Sequence, residues 1–246
     1  MIEHTNDYLL DKKVKIFQPV NGYRASSDAV LLSSLPHNLK PTDNILDVGS
    51  GTGGIALCLS HRFPQNSVTG LEIQPDLCEL ANFSAEQNGF AQTQFFNCDI
   101  KNKNLPVANC SFAHVISNPP YSEHDMPSPN HSKALAHNHS GLDLNSWINF
   151  CLKMLKPFGH LYLIHRAEAL PQILTSLSGK AGKIQIIPVY SKPKQNAKRV
   201  MIIAQKDAKT PASVLPPLYI YDATDDYTSA ARQILREGKS FFAIDI

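Results

Sequence analysis

Apolar positions along the chain fall into short runs that alternate with stretches of helical spacing. Asn44–Val48, Ser67–Ile73, Thr93–Cys98, Phe112–Ser117 and His160–His165 are compact apolar runs that predict strands. Between the first two, Thr52–Phe63 spaces Ile55, Leu57, Leu59 and Phe63 among small residues and meets Pro64, which predicts a helix and its end. A second helix is predicted from Pro75 toward Asn88-Gly89, because proline and Asp76 suit a first turn and Asn-Gly suits a stop. Over Leu144–Leu155, Trp147, Phe150, Cys151, Met154 and Leu155 share one helical face, the mark of a core contact. Lys156-Pro157-Phe158-Gly159 breaks that helix, and Ala167–Leu177 predicts another. Ile184–Val189 and Val200–Ala204 read as two last strands joined by a basic loop, and Thr228–Glu237 as a short final helix. Near the start, Ser26 or Ser27 is placed to cap a helix that follows Tyr23 and Arg24.

Strands alternating with helices of this length imply an α/β fold, a mainly parallel sheet with helices on both faces. Ligands of such sheets bind beyond the carboxyl ends of the strands. The 246 residues fit one large domain more comfortably than two. No apolar run approaches the roughly 18–20 residues that span a bilayer, and Met1–Asp11 lacks a basic-then-apolar signal pattern, so a cytoplasmic chain without a membrane partner is expected. None of the five cysteines forms a C-x-x-C pair, which predicts reduced core thiols rather than a disulfide framework or zinc site. His131, His137 and His139 lack a strand or helix frame, and no metal is expected there. A formal net charge of +2 and a pI of about 8.2 permit nucleic-acid binding without demanding it.

The run Asp47-Val48-Gly49-Ser50-Gly51-Thr52-Gly53-Gly54 follows a predicted strand. Its glycines fit the G-x-G-x-x-G of dinucleotide sites and, with Asp47, the D-x-G-x-G-x-G loop of S-adenosylmethionine enzymes. Glu72, about twenty residues on at the end of the next strand, stands where a ribose-binding acid is expected for either cofactor. Asp47 separates the two readings, since a carboxylate sits badly beside a pyrophosphate and well beside a sulfonium or ammonium cation. Asp99, closing a third strand, is suited to receive an adenine amino group. Asp47, Gly49, Ser50, Gly51, Gly53, Glu72 with Ile73, Asp99 with Ile100, and Asn118 are the expected cofactor contacts.

Asn118-Pro119-Pro120-Tyr121 follows Phe112–Ser117 directly. An exocyclic amine on an aromatic ring is a poor nucleophile because its lone pair is delocalised into the ring. Acceptors that hold its N–H groups let the nitrogen pyramidalise toward a methyl donor. Asn118 offers a side-chain carbonyl and Pro119 a backbone carbonyl; two prolines fix the backbone between them, and Tyr121 offers a flat face for a flipped base. Asn118, Pro119, Pro120 and Tyr121 are therefore the candidate catalytic residues. The competing reading is a rigid turn, since Asn-Pro commonly starts one.

The ordered set of glycine loop, Glu72, Asp99 and Asn118–Tyr121 resembles class I N-methyltransferases of the Asn-Pro-Pro-Tyr type. Phe17-Gln18-Pro19, Gly22-Tyr23-Arg24, Asp28–Leu32, Lys156–Gly159 and Lys198-Arg199-Val200 further resemble the bacterial tRNA adenine-N6 methyltransferases that modify the adenine beside the anticodon of valine tRNA. That resemblance implies a Rossmann-like, seven-stranded sheet with one antiparallel strand, S-adenosylmethionine as cofactor and tRNA as partner. It also implies that residues 1–40 cover the cofactor site of a domain spanning 41–246, with Tyr23 and Asp28 among the contacts. Lys133, Lys194, Lys198 and Arg199 are candidate RNA contacts, weighed against an ordinary solvated charge cluster.

Other readings stay open at this point. Release-factor methyltransferases share Asn-Pro-Pro-Tyr and methylate a protein glutamine, although only about forty residues precede the glycine loop here, few for the separate helical domain those enzymes carry. Guanine N2 in ribosomal RNA is another amine target. An NAD-dependent oxidoreductase would share the loop and Glu72 but lacks a Tyr-x-x-x-Lys relay, and a non-catalytic protein binding the cofactor and RNA would not need an intact Asn118–Tyr121.

Overall fold

The computed structural model describes residues 1–22, 24–120 and 142–245. Its centre is a sheet of five strands predicted from the apolar runs: β3 (Asn44–Val48), β4 (Ser67–Glu72), β5 (Thr93–Asn97), β6 (Phe112–Ser117) and β7 (Leu155–Arg166), preceded by a hairpin of β1 (His4–Leu9) and β2 (Val14–Pro19). β8 (Ala181–Tyr190) and β9 (Arg199–Lys206) complete seven long strands, and β10 (Ser213–Val214) and β11 (Leu218–Tyr219) each add two residues against β8. The order is β8-β9-β7-β6-β3-β4-β5. β9 runs antiparallel to both of its neighbours, and the other pairings in this sheet are parallel. The expected seven-stranded sheet with one reversed strand is therefore present, extended to nine by the two short strands.

Helices cover both faces. α1 (Ser27–Ser33) and α2 (Gly54–Arg62) bury apolar residues against one face, together with the hairpin residues Leu10, Val14 and Ile16. On the opposite face, Trp147, Ile148 and Cys151 of α4 (Leu144–Met154) and Ile173 of α5 (Leu170–Leu177) pack on Leu46, Val115 and Leu163. α3 (Pro75–Gln87) lies beside β2 and β5, and a single turn, α6 (Ser229–Arg232), precedes a π-turn over Gln233–Glu237. The local signals act as their chemistry dictates: the Ser26 hydroxyl accepts the Asp28 N–H, Asp143 accepts that of Ser146, and Pro75 opens α3.

Three expectations need correction. Lys156–Gly159 does not separate helix from strand, because β7 already begins at Leu155 and a register shift against β6 absorbs the proline and glycine. Thr228–Glu237 is a short helix continued by a π-turn, not one regular helix. Of the five cysteines only Cys58, Cys78 and Cys151 are buried; Cys98 is half-buried and Cys110 exposed, and all five are free thiols.

The N-terminal hairpin is anchored rather than loosely appended. Phe17 and Lys15 donate backbone N–H groups to the Ser84 hydroxyl and the Asn88 side chain of α3, and Phe17 packs on Phe83 with ring centroids 4.6 Å apart. The chain then returns past α2 so closely that a side chain at Gly54 would meet Ala25 Cβ at 2.8 Å. Gln18 and Asp7 hold this return through the Ala25 N–H and the Arg24 guanidinium. No described helix is long and apolar enough to cross a membrane.

Candidate functional site

Because β3, β4, β5 and β6 are parallel, their carboxyl ends share one edge of the sheet, and the segments after them converge there. β3 is central: β4 and β5 extend on one side of it and β6 and β7 on the other, so the strand order reverses between β3 and β6. A crevice outside such a reversal is where open α/β sheets take ligands.

The glycine loop turns there through three left-handed residues, Gly49, Gly51 and Gly53, with φ of 73°, 55° and 85°. Gly49 has a second reason to lack a side chain, since a Cβ there would sit 2.8 Å from Trp147 Cζ2. Gly49 and Ser50 donate their N–H groups to Leu71 O, fixing the loop to the end of β4.

Two buried carboxylates flank this loop. Asp47 accepts the Ala56 N–H at 3.2 Å through one oxygen, while its other oxygen and the Ser50 and Thr52 hydroxyls are buried without a hydrogen-bond partner among the described residues. Burial pushes its pKa up to about 8, against the pull of the Ala56 N–H, and the neighbouring Glu72 adds to the rise. Glu72 accepts the Gly51 N–H at 2.8 Å and the Gln74 N–H at 2.9 Å, one on each oxygen. Burial raises its pKa too, opposed by those backbone donors. Ile73 and Ile100 are half-buried beside the strand ends. Asp99, also half-buried, accepts the Lys101 N–H at 2.9 Å and lies 3.6 Å from that residue's Nζ.

On the other side of β3, Asn118, Pro119 and Pro120 continue β6. Pro119 is buried, and the Asn118 side-chain carbonyl oxygen is buried without a partner among the described residues. Its position is set from below. Trp147 Nε1 donates to Ser117 Oγ at 2.9 Å, and Ser117 Oγ donates to Val48 O at 2.7 Å. One side chain of α4 thus touches the glycine loop and holds the residue before Asn118. Sequence reasoning read Trp147 only as core, which it is, and missed this second task; Ser117 and Asn97, whose amide bonds Glu72 O and Ile73 O, were missed as well. A lone serine or asparagine at a strand end carries no spacing signal.

Asp28 lies between Ala25 and Ala29, which pack against Gly54 of the glycine loop. It is buried at the start of α1 and forms an ion pair with Arg199 at 2.6 Å, so an expected cofactor contact and an expected RNA contact are joined. Lys194 and Lys198 are exposed on the segment between β8 and β9. Tyr23, Tyr121, Lys133 and the histidines 124, 131, 137 and 139 lie outside the described residues. Among the described residues, no group of three or more His, Cys, Asp or Glu is placed to hold a metal.

Unpaired buried oxygens beside two carboxylates call for a ligand rich in donors and positive charge, and a neutral amide oxygen at the same edge calls for a neutral N–H donor. A methyltransferase-domain model matches residues 45–143. A tRNA1(Val) (adenine(37)-N6)-methyltransferase of Porphyromonas gingivalis is 30% identical over 198 residues, 77% of this chain and 77% of that protein. A release factor glutamine methyltransferase of Vibrio cholerae is 39% identical, but over 84 residues only, 34% of this chain and 28% of that protein. Among solved structures, a predicted O-methyltransferase from Agrobacterium tumefaciens shares the fold with a TM-score of 0.73 at 22% identity, over 89% of this chain and 99% of that one.

Proposed function

Since the chain belongs to the family of the tRNA1(Val) (adenine(37)-N6)-methyltransferases and is an S-adenosylmethionine-dependent methyltransferase, we propose that its substrate is tRNA and its target the N6 amino group of an adenine, the one at position 37. The observation that carries the reading is the buried, unpartnered Asn118 carbonyl oxygen at the edge shared with the glycine loop.

The residues of the loop fit the cofactor. The unsatisfied oxygens of Asp47, Ser50 and Thr52 await donors, and Asp47 and Glu72 are buried carboxyl groups whose ionised form a cation would favour. Bound S-adenosylmethionine supplies a methyl group on a sulfonium, an electrophile whose leaving group departs neutral. Asp47 and Ser50 would meet cationic and donor groups of that molecule, and Glu72 its ribose hydroxyls, with Asp99 near the adenine. Residues 1–40, fixed against α2 and α3, would cover this half of the site. Arg199 holds Asp28 at 2.6 Å, which favours a role for Asp28 in fastening α1 to β9 as part of that cover.

Asn118 Oδ1 would accept one N–H of the target amine and the Pro119 carbonyl the other, drawing the nitrogen out of conjugation and aiming its lone pair at the methyl carbon. Both acceptors are neutral, matching an uncharged amine. Tyr121 would stack on the flipped base. A protein glutamine is a second amide-type acceptor for the same machinery. The similarity to the glutamine enzyme covers about a third of this chain and less of its own, which favours RNA.

The experiment incubates the protein with methyl-labelled S-adenosylmethionine, tRNA, ribosomal RNA and soluble protein, then separates the fractions. Label recovered as N6-methyladenosine in tRNA is the expected result. Label in the protein fraction, or as N2-methylguanosine in ribosomal RNA, would overturn it.

A further inference from the structure

The reversed strand β9 brings cations to the edge where Asn118 lies. β7 ends at that edge with Arg166, and β9, running the other way, begins there with Arg199, so the two arginines are register partners. Directly paired residues of antiparallel strands stand roughly 5 Å apart at Cβ and project from the same face, where like charges repel. Lys192, Lys194 and Lys198 lie on the connection between β8 and β9 at the same edge. Among the described residues, three carboxylates accompany these five cations: Asp28 on Arg199, Glu168 on Arg166 and Asp225 on Lys192. Lys194 and Lys198 are exposed and, among the described residues, no carboxylate lies within ion-pair distance of either.

The connection is braced. Tyr219 of β11 pairs with Tyr190 at the end of β8, their rings stacked 5.1 Å apart, and the Lys192–Asp225 pair ties the next turn down. Lys194 itself has a left-handed backbone, φ 63°. A braced connection binds a polyanion without its backbone first being ordered, so association costs less entropy.

Position decides which part of a ligand they meet. Ser117 is the register partner of Leu163, so Asn118 stands level with the residue after it and Arg166 lies about two residues further along β7. With strands roughly 4.8 Å apart and about 3.3 Å per residue, Arg166 is on the order of 8 Å from Asn118 and Arg199 a strand further. That is the reach of the phosphates flanking a nucleotide whose base has been extruded toward Asn118.

We propose, resting on the RNA reading above, that Arg166, Lys194, Lys198 and Arg199 form a phosphate rail that grips the RNA backbone on one side of the target nucleotide, with Arg166 the member nearest the reacting base. The rail binds single-stranded backbone and reads no sequence; of its members Arg199 also holds Asp28 in the cover of the cofactor half, so it is left unchanged in the test, and Arg166, Lys194 and Lys198 act on RNA alone.

The test uses the full chain and unmodified tRNA transcript, comparing Arg166→Ala, Lys194→Ala with Lys198→Ala, and the three together, with Lys209→Ala at the opposite edge as control. Tyrosine and proline positions are left alone so that folding is not at issue, and thermal melting confirms it. Expected for the triple variant is a KM for tRNA raised at least tenfold and unchanged S-adenosylmethionine affinity. Its salt dependence should flatten by roughly 0.7 in log–log slope for each phosphate no longer neutralised. Lys209→Ala should resemble wild type. Wild-type methylation of tRNA with no change of KM or salt slope in the triple variant overturns the rail while leaving the RNA reading intact. Absence of tRNA methylation by the wild type overturns both.

Discussion

The two halves of the site, on either side of the join between β3 and β6, solve different electrostatic problems. On the β4 side, Asp47 and Glu72 are buried carboxylates with pKa values pushed up by burial, held by the N–H groups of Ala56, Gly51 and Gln74. On the β6 side the corresponding group is a neutral amide, Asn118, seated by Ser117 and Trp147. A buried carboxyl group keeps its proton until a ligand of opposite charge makes ionisation favourable; a buried neutral carbonyl needs no such change and suits an uncharged amine. On the proposed reading, one half serves the affinity of a cationic cofactor and the other the geometry of a nucleophile.

The largest expected effect belongs to the neutral half. Asn118→Ala should lower the single-turnover rate by roughly 10²–10³-fold, the scale of removing one preorganised acceptor, while S-adenosylmethionine affinity changes far less. Equal losses of rate and affinity would erase the division between the halves. Next comes Asp47→Asn, which should weaken S-adenosylmethionine binding by about 10–100-fold, since the hydrogen bond it removes is to a charged group, with a smaller change in the rate at saturation.

The same substitution sharpens the comparison through pH. In the folded protein Asp47 has its pKa raised to about 8 from the ordinary 3.8, so between those values the folded state holds a proton that the unfolded state has released. Stability without cofactor therefore falls as pH rises from about 4 to 8, and Asp47→Asn should remove that slope in urea titrations. A positively charged ligand prefers the ionised carboxylate, so wild-type affinity should climb from pH 6 to 8 and level off above. Smaller still, Gly49→Ala should destabilise the fold by about 1–3 kcal/mol, because the new methyl meets Trp147 at 2.8 Å and φ is 73°. Trp147→Phe should cost about 1 kcal/mol for the bond to Ser117 Oγ. If its rate falls more than its stability, Trp147 positions Asn118 as well as filling the core.

The parts of the fold governed by periodicity and glycine were legible in the sequence. β3 to β6 lie within a residue of their apolar runs, and Asp47, Glu72 and Asn118 were placed on strand ends by order alone. The N-terminal hairpin was not. Its turn passes through Leu10, Asp11 and Lys12, all left-handed with φ of 50°, 53° and 68°, and contains neither glycine nor Asn-Gly, the residues by which such a turn announces itself. Nor was the Asp28–Arg199 pair, whose members are 171 positions apart and meet only because β9 is reversed. Periodicity reports which face of an element is buried; it carries no record of which distant charge a polar residue will find.

The central claim, that a buried carboxylate receives the cofactor's charge on one side while a neutral amide serves the acceptor on the other, is tested most directly by calorimetry of S-adenosylmethionine binding at pH 7 in two buffers of different ionisation enthalpy. The wild type and Asn118→Ala should each release about one proton on binding, as expected of a group with a pKa near 8 that must ionise, and Asp47→Asn close to none. Binding without proton release by the wild type, or equal release by all three, would contradict it.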